Sequence, residues 1–268
     1  MIIDLEKFIA GKTYHRVISL VPSLTELLYD LDLGDRVLGI TKFCIHPREW
    51  YKNKPHIGGT KNVKIDLIKK LQPDLIIANK EENTKEQVES LAAFTDVYVS
   101  DINKLADALE AIRFIGRLTV AATRAAQIAE EIETKFRRLR ARAEGHPSIR
   151  AAYVIWRNPT MVAGGDTFID DMMGYCGLAN SFADTRRYPA VALEEWLPSR
   201  LPQDMCELIL LSTEPFPFNE KHVQELTTRF PAVRCMLVDG EIFSWYGSRL
   251  LKAAEYFDKF QEKLQFAK

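Results

Sequence analysis

One pattern of apolar and polar positions occurs twice along the chain. Residues 73–101 read PDLIIANKEENTKEQVESLAAFTDVYVSD, and residues 206–240 read CELILLSTEPFPFNEKHVQELTTRFPAVRCMLVDG. Each passes from an apolar strand through a polar, acidic loop into an amphipathic helix, then into a second apolar strand. Strands buried on both faces read as unbroken apolar runs, and strands alternating with helices form mostly parallel sheets. The same α/β unit in both halves predicts two similar lobes. Facing lobes make a cleft, and clefts hold small molecules.

The rest of the pattern fills in the elements. Arg16–Val21 reads as a buried strand. Ser23 with Glu26 three residues on predicts a capping box, and Leu24, Leu27, Leu28 and Leu31 form the apolar stripe of the helix, which Gly34 ends. Arg36–Ile40 is the next strand, and a short helix is predicted near Ile65–Leu71, stopped by Pro73. Residues 103–143 read as helix almost throughout, with a break expected at Gly116–Thr119. The second stretch carries the stripe Ala121, Ala125, Ile128, Ile132, Phe136, Leu139 and would span roughly 35 Å, enough for a strut between lobes. Gly145–Ser148 reads as a linker. Strands are expected at Ala151–Ile155, Met161–Ala163, Glu207–Leu211 and Cys235–Val238, with helices near Thr167–Cys176 and Ser248–Lys263. The predicted organisation is an N-terminal α/β lobe over 1–102, a linking helix over 103–145 and a C-terminal α/β lobe over 146–268.

Composition narrows the function classes. The chain has 268 residues, 47% hydrophobic and 27% charged, with a net charge of −1. Nothing in that balance invites nucleic acid or an anionic membrane. No apolar run approaches the length of a membrane-spanning helix. The first residues, MIIDLEKFIAGKTYHR, lack the apolar stretch of a secretion signal, so a cytoplasmic chain is expected, or a periplasmic or membrane-anchored one if a leader has been removed. Cys44, Cys176, Cys206 and Cys235 form no CxxC pair, and Cys206 and Cys235 are expected to be buried thiols.

In parallel sheets, ligands bind beyond the carboxyl ends of the strands. That rule selects the loops with Lys42, Phe43, Thr60, Lys61 and Lys80 in the first half. In the second half it selects Trp156, Arg157, Asp166, Phe216, Phe218, Trp245, Tyr246 and Arg249, with Arg187 and Tyr188 in the stretch between. Aromatic faces suit flat ligands, and Arg or Lys suits carboxylate or phosphate. Cys44 and His46, two apart, are weak candidates for a metal, since two ligands do not make a site. The Gly164-Gly165 turn opens a helix, but neither GxGxxG nor GxxxxGK[ST] is present, so nucleotide binding has no support. No intrinsic cofactor and no catalytic arrangement is predicted.

The stretches RVISLVPSLTELLYDLDLGDRVLGIT, LQPDLIIA, the long helix, and GGDTFIDDMMGYCGLANSFADTRRYPAVALEEW together resemble the helical-backbone substrate-binding proteins of ABC importers. That class takes up cobalamin, ferric siderophores, haem or metal ions, and the cobalamin binders are most similar. The resemblance implies two Rossmann-like lobes joined by a long backbone helix with the ligand cleft between them, a monomer, and an ABC permease as partner. It implies a corrinoid or ferric chelate as ligand, contacted by Phe43 and Trp245, with Thr60 standing where another aromatic is usual. It also implies an acidic docking residue on each lobe. Glu81, Glu82 or Glu86 would serve on one side and Glu214 or Glu220 on the other, with Lys85 at the matching position of the first lobe. The alternative is a cytoplasmic enzyme or carrier that processes such a ligand, with Lys42, Cys44, His46, Lys61, Lys80 and Glu81 as its acid–base groups.

Overall fold

The computed structural model describes residues 1–3, 12–197 and 205–265. Residues 4–11, on which much of the N-terminal reading rests, lie outside the described residues. The chain divides into two compact units: 1–102 with 106–133 and 246–250, and 103–105 with 134–245 and 251–268.

The first unit holds β1 (Ile2–Ile3), β2 (Val17–Ser19), α1 (Pro22–Asp30), β3 (Val37–Ile40), α2 (Arg48–Asn53), α3 (Ile65–Leu71), β4 (Leu75–Asn79), α4 (Lys85–Ala92) and β5 (Asp96–Ser100). It also holds most of α5 (Leu105–Leu118) and the first part of α6 (Ala122–Glu144). Its sheet runs β1-β5-β4-β2-β3, and every pairing is parallel. Each residue of the central strand β4 is buried, which its unbroken apolar run requires. Chain order reverses between β2 and β4, so the loops leaving those strands flank a topological switch point.

Two local readings are corrected here. The Ser23–Glu26 capping box does not form. Val21 is the N-cap without a side-chain bond, and Pro22, whose missing N–H is harmless in a first turn, starts the helix. Ser23 is buried inside α1, and Glu26 binds Arg249 instead. The break between the long helices falls at residues 119–121, overlapping the expected Gly116–Thr119 only at Thr119. Gly116 allows close helix approach, since a Cβ there would lie 2.3 Å from that of Ala125.

The second unit holds β6 (Ile149–Trp156), β7 (Met161–Val162), α7 (Phe168–Tyr175), β8 (Leu178–Asn180), α8 (Leu193–Trp196), β9 (Leu208–Ser212), α9 (Glu220–Arg229), β10 (Arg234–Val238), α10 (Gly240–Ser244) and α11 (Leu250–Gln265). Its sheet runs β10-β9-β6-β7, with β8 also pairing β6. Only β7 is antiparallel among these pairings. The repeated motif emerges as β4–α4–β5 and β9–α9–β10, each a parallel pair joined by a helix. Here the switch point lies between β6 and β9.

One core of this unit is a chain of rings: Tyr153 on Phe243, Phe243 on Phe257, Phe257 on Phe136, and Phe136 on Tyr175, with centroids 4.9–6.1 Å apart. The other gathers Val154, Phe182, Leu193, Ile209, Leu211 and Phe218, with Trp196 stacked on Phe182 at 4.2 Å. The expected α/β architecture with parallel sheets is the observed one. The residues of α6 are divided between the units after Glu133. All four cysteines are free.

Candidate functional site

Loops at the carboxyl ends of the strands carry the candidate residues. In the first unit, the chain leaves β3 into Lys42 and Phe43. The Phe43 ring is 50% exposed, with the Lys42 ammonium 5.0 Å from its centroid. The Gly58-Gly59 turn lies against both side chains. A Cβ on Gly59 would sit 3.3 Å from Phe43 and 3.6 Å from Lys42, and the Lys42 N–H donates to the Gly58 carbonyl at 2.9 Å.

A buried polar network fixes the neighbouring loops. Asn79 donates to the Ser100 carbonyl and hydroxyl, and its side-chain oxygen accepts the Glu81 and Glu82 N–H groups. Asn83 donates to the Thr60 carbonyl at 2.7 Å, so Thr60 is a buried joint between two loops rather than a presented side chain. Sequence reasoning missed this network. Its only signal was three short polar side chains, Asn79 and Ser100 at strand ends and Asn83 in the loop after β4. Lys80 is exposed and pairs with Asp101 at 2.6 Å, and Lys61 is exposed. Burial raises the Glu82 carboxyl pKa, and Lys61 partly opposes the shift. Glu81 is half-buried, while Glu86 stands exposed in the first turn of α4.

Cys44 is turned into the core, 0% exposed, its sulfur 3.1 Å and 3.2 Å from the Thr25 and Thr41 hydroxyls. Burial raises its pKa. It therefore does not face outward with His46, and the described residues hold no group of three His, Cys, Asp or Glu able to bind a metal.

In the second unit, Trp156 ends β6 and is 39% exposed. Phe216, on the loop after β9, meets it edge-on at 5.7 Å. The two rings therefore come from the end of β6 and the loop after β9, which flank the switch point. Phe218 is 6% exposed and belongs to the core, packed on Phe216 at 4.6 Å, so it supports the site from below. The Arg157 guanidinium pairs with Glu225 of α9 at 2.7 Å.

The glycine pair is a packing device. A Cβ on Gly165 would lie 2.0 Å from the Ala183 carbonyl oxygen, and one on Gly164 would lie 2.5 Å from that of Thr185. The absent side chains let 183–187 lie directly on this turn, with Gly164 N–H bound to the Arg187 carbonyl at 2.7 Å and Gly165 N–H to that of Thr185 at 2.9 Å. The Asp166 carboxylate accepts the Arg187 N–H and is thereby engaged. Arg187 is left exposed, 5.7 Å from the Tyr188 ring.

Three late candidates are mostly interior. Trp245 is 9% exposed, and its indole N–H donates to Glu214 at 2.9 Å. Tyr246 is also buried. Arg249 is 6% exposed and donates to Glu26 of the same unit at 2.7 Å. Glu214 is half-buried, whereas Glu220 is exposed at the start of α9.

Parallel α/β sheets in both units, aromatic and cationic side chains on their carboxyl-end loops, and one motif repeated in each define a class of two-unit α/β folds. The sequence model of the periplasmic binding protein family matches residues 17–206, and the chain belongs to that family. The vitamin B12-binding protein of Vibrio parahaemolyticus is 27% identical over 188 residues, 69% of this chain and 68% of that one. Among solved structures, the periplasmic vitamin B12 binding protein of Vibrio cholerae superposes with a TM-score of 0.79 at 20% identity, covering 95% of this chain and 99% of that one. The periplasmic heme-binding protein of Roseiflexus gives 0.75 at 20% identity over 94% and 99%. At those identities the two structures speak for the fold.

The cytoplasmic expectation is corrected by this result, because the family is one of periplasmic proteins. A secretion signal is separable from the folded domain it precedes, so the first residues of a chain are a poor guide to the compartment of its fold.

Proposed function

We propose that this chain is a solute-binding protein that holds a corrinoid or metal-chelate ligand for ABC-type uptake and leaves it chemically unchanged. The two compact units act as its two lobes. The observation that carries this reading is the Trp156–Phe216 pair, a partly exposed aromatic edge built from the end of β6 and the loop after β9 at the switch point of the second sheet. Phe43 offers an exposed ring in the first unit, backed by Gly59 and accompanied by Lys42. Flat apolar faces with cations beside them suit a large macrocycle or chelate carrying anionic groups. The vitamin B12-binding relatives and the B12- and haem-binding structures support that ligand class. Lys61, Arg187 and Trp245 complete the proposed ligand-contacting set, and the exposed Glu86 and Glu220 are the proposed docking carboxylates.

A thermal-shift panel tests the proposal with cyanocobalamin, cobinamide, haemin and ferric hydroxamate siderophores. A ligand at 100 times its dissociation constant stabilises the fold by about 2.7 kcal/mol, which raises the melting temperature visibly. A shift with one of these classes is expected. A flat response across all four contradicts the proposal.

A further inference from the structure

Glu214 sits at the exit of β9, and its side chain joins two segments. One oxygen, Oε1, accepts both the Trp245 indole N–H at 2.9 Å and the Ser244 hydroxyl at 3.1 Å. Its backbone carbonyl accepts the Ser212 hydroxyl. Gly240 makes room for it, since a Cβ there would lie 2.5 Å from the Glu214 Cγ. The carboxylate therefore ties the start of the EPFPF loop, which carries Phe216, to the corner that carries Trp245. A buried indole N–H needs an acceptor, and this one is supplied by a single titratable group.

The charges facing Glu214 are acidic. Asp239 caps α10 and Glu241 lies in its first turn. From β6 comes Tyr153, whose hydroxyl donates to Ser212 at 3.1 Å. Burial, then Glu241, push the Glu214 carboxyl up to about 7, against the pull of Ser244 and Trp245. A surface pocket of about 400 Å³, lined by Thr213, Glu214, Asp239 and Glu241, opens the group to solvent protons.

We propose that Glu214 is a positioning residue for the ligand site: its ionised carboxylate fixes the Trp245 indole, and its protonation loosens that ring and weakens ligand retention. This rests on the reading of Trp245 as a ligand-contacting residue. An ionised acceptor makes a hydrogen bond roughly twice as strong as a neutral one. Retention accordingly falls as pH is lowered through neutrality.

The test has two independent readouts. In ¹⁵N-labelled protein, the Trp245 indole N–H resonance is identified by its loss in Trp245→Phe. It is expected to titrate in the wild type with a midpoint near 7 and to stay fixed in Glu214→Gln. Equilibrium titrations with cyanocobalamin and with haemin at pH 6 and pH 8 then read the consequence. The probe that binds is expected to bind wild type at least about threefold more tightly at pH 8, and Glu214→Gln equally at both. An indole that ignores pH overturns the proposal. A titrating indole with the same pH ratio of affinities in wild type and Glu214→Gln removes Trp245 from the ligand site and overturns the retention step. Failure of both probes to bind any variant sinks the ligand reading itself, and the indole titration still reports the Glu214–Trp245 contact.

Discussion

Arg249 Nε lies 2.7 Å from Glu26 Oε2, with the two side chains 7% and 8% exposed. The pair joins α1 to a segment 223 residues away in sequence. Removing one partner takes this counter-ion from a buried charge, which costs about 3–5 kcal/mol. Arg249→Ala and Glu26→Ala are each expected to lose that much in urea unfolding. The double replacement Glu26→Met with Arg249→Met is expected to lie much nearer the wild type. A double-variant loss equal to the sum of the two single losses would show that the pair does not act as a unit.

Gly165 faces the Ala183 carbonyl with no space for a methyl group. Gly165→Ala is expected to cost about 1–3 kcal/mol by forcing the 183–187 segment away. Thermal unfolding checks it, with Gly174→Ala as control, because nothing lies within 4 Å of a Cβ there. Equal stability of the two variants would count against the close approach.

Glu214 makes stability depend on pH in a defined direction. Its pKa is about 7 folded against 4.5 ordinarily, so between those values the folded chain binds more protons than the unfolded one. Stability from this group is therefore greatest at low pH and is lost as pH rises towards 7, by on the order of 2–3 kcal/mol. Glu214→Gln keeps an acceptor for Trp245 and removes the charge. It is expected to match or exceed wild-type stability at pH 8 and to flatten the wild-type slope between pH 5 and pH 8. An unchanged slope would assign the pH dependence to other groups.

Phe43 and Trp156 are exposed rings, so truncation leaves the folds of their units almost intact. Phe43→Ala and Trp156→Ala are each expected to change stability by no more than about 0.5 kcal/mol and to weaken ligand binding by tenfold or more, which is about 1.4 kcal/mol. Isothermal titration and unfolding on the same samples separate the two effects. A loss of stability without loss of affinity would make them packing residues.

Most of the fold was legible because burial writes itself into unbroken apolar runs. The repeat predicted β4–α4–β5 and β9–α9–β10. Short elements escaped. Helix α10 has five residues, too few to show a period in the sequence. The site was partly legible: strand-end position found Phe43, Trp156 and Phe216. Whether a side chain faces out or in depends on distant partners, which local spacing does not contain. Phe218 goes to the core and Arg249 to Glu26 for that reason. Ser23 and Glu26 have the spacing of a cap, yet Pro22 starts the helix and Arg249 takes the glutamate.

The most direct test of the central claim is equilibrium dialysis of the purified protein against cyanocobalamin, haemin and a ferric hydroxamate, followed by mass spectrometry of the recovered ligand. Saturable retention of one of them, recovered with its mass unchanged after long incubation, is the predicted result. Retention of none, or recovery of a chemically altered product, would contradict the account.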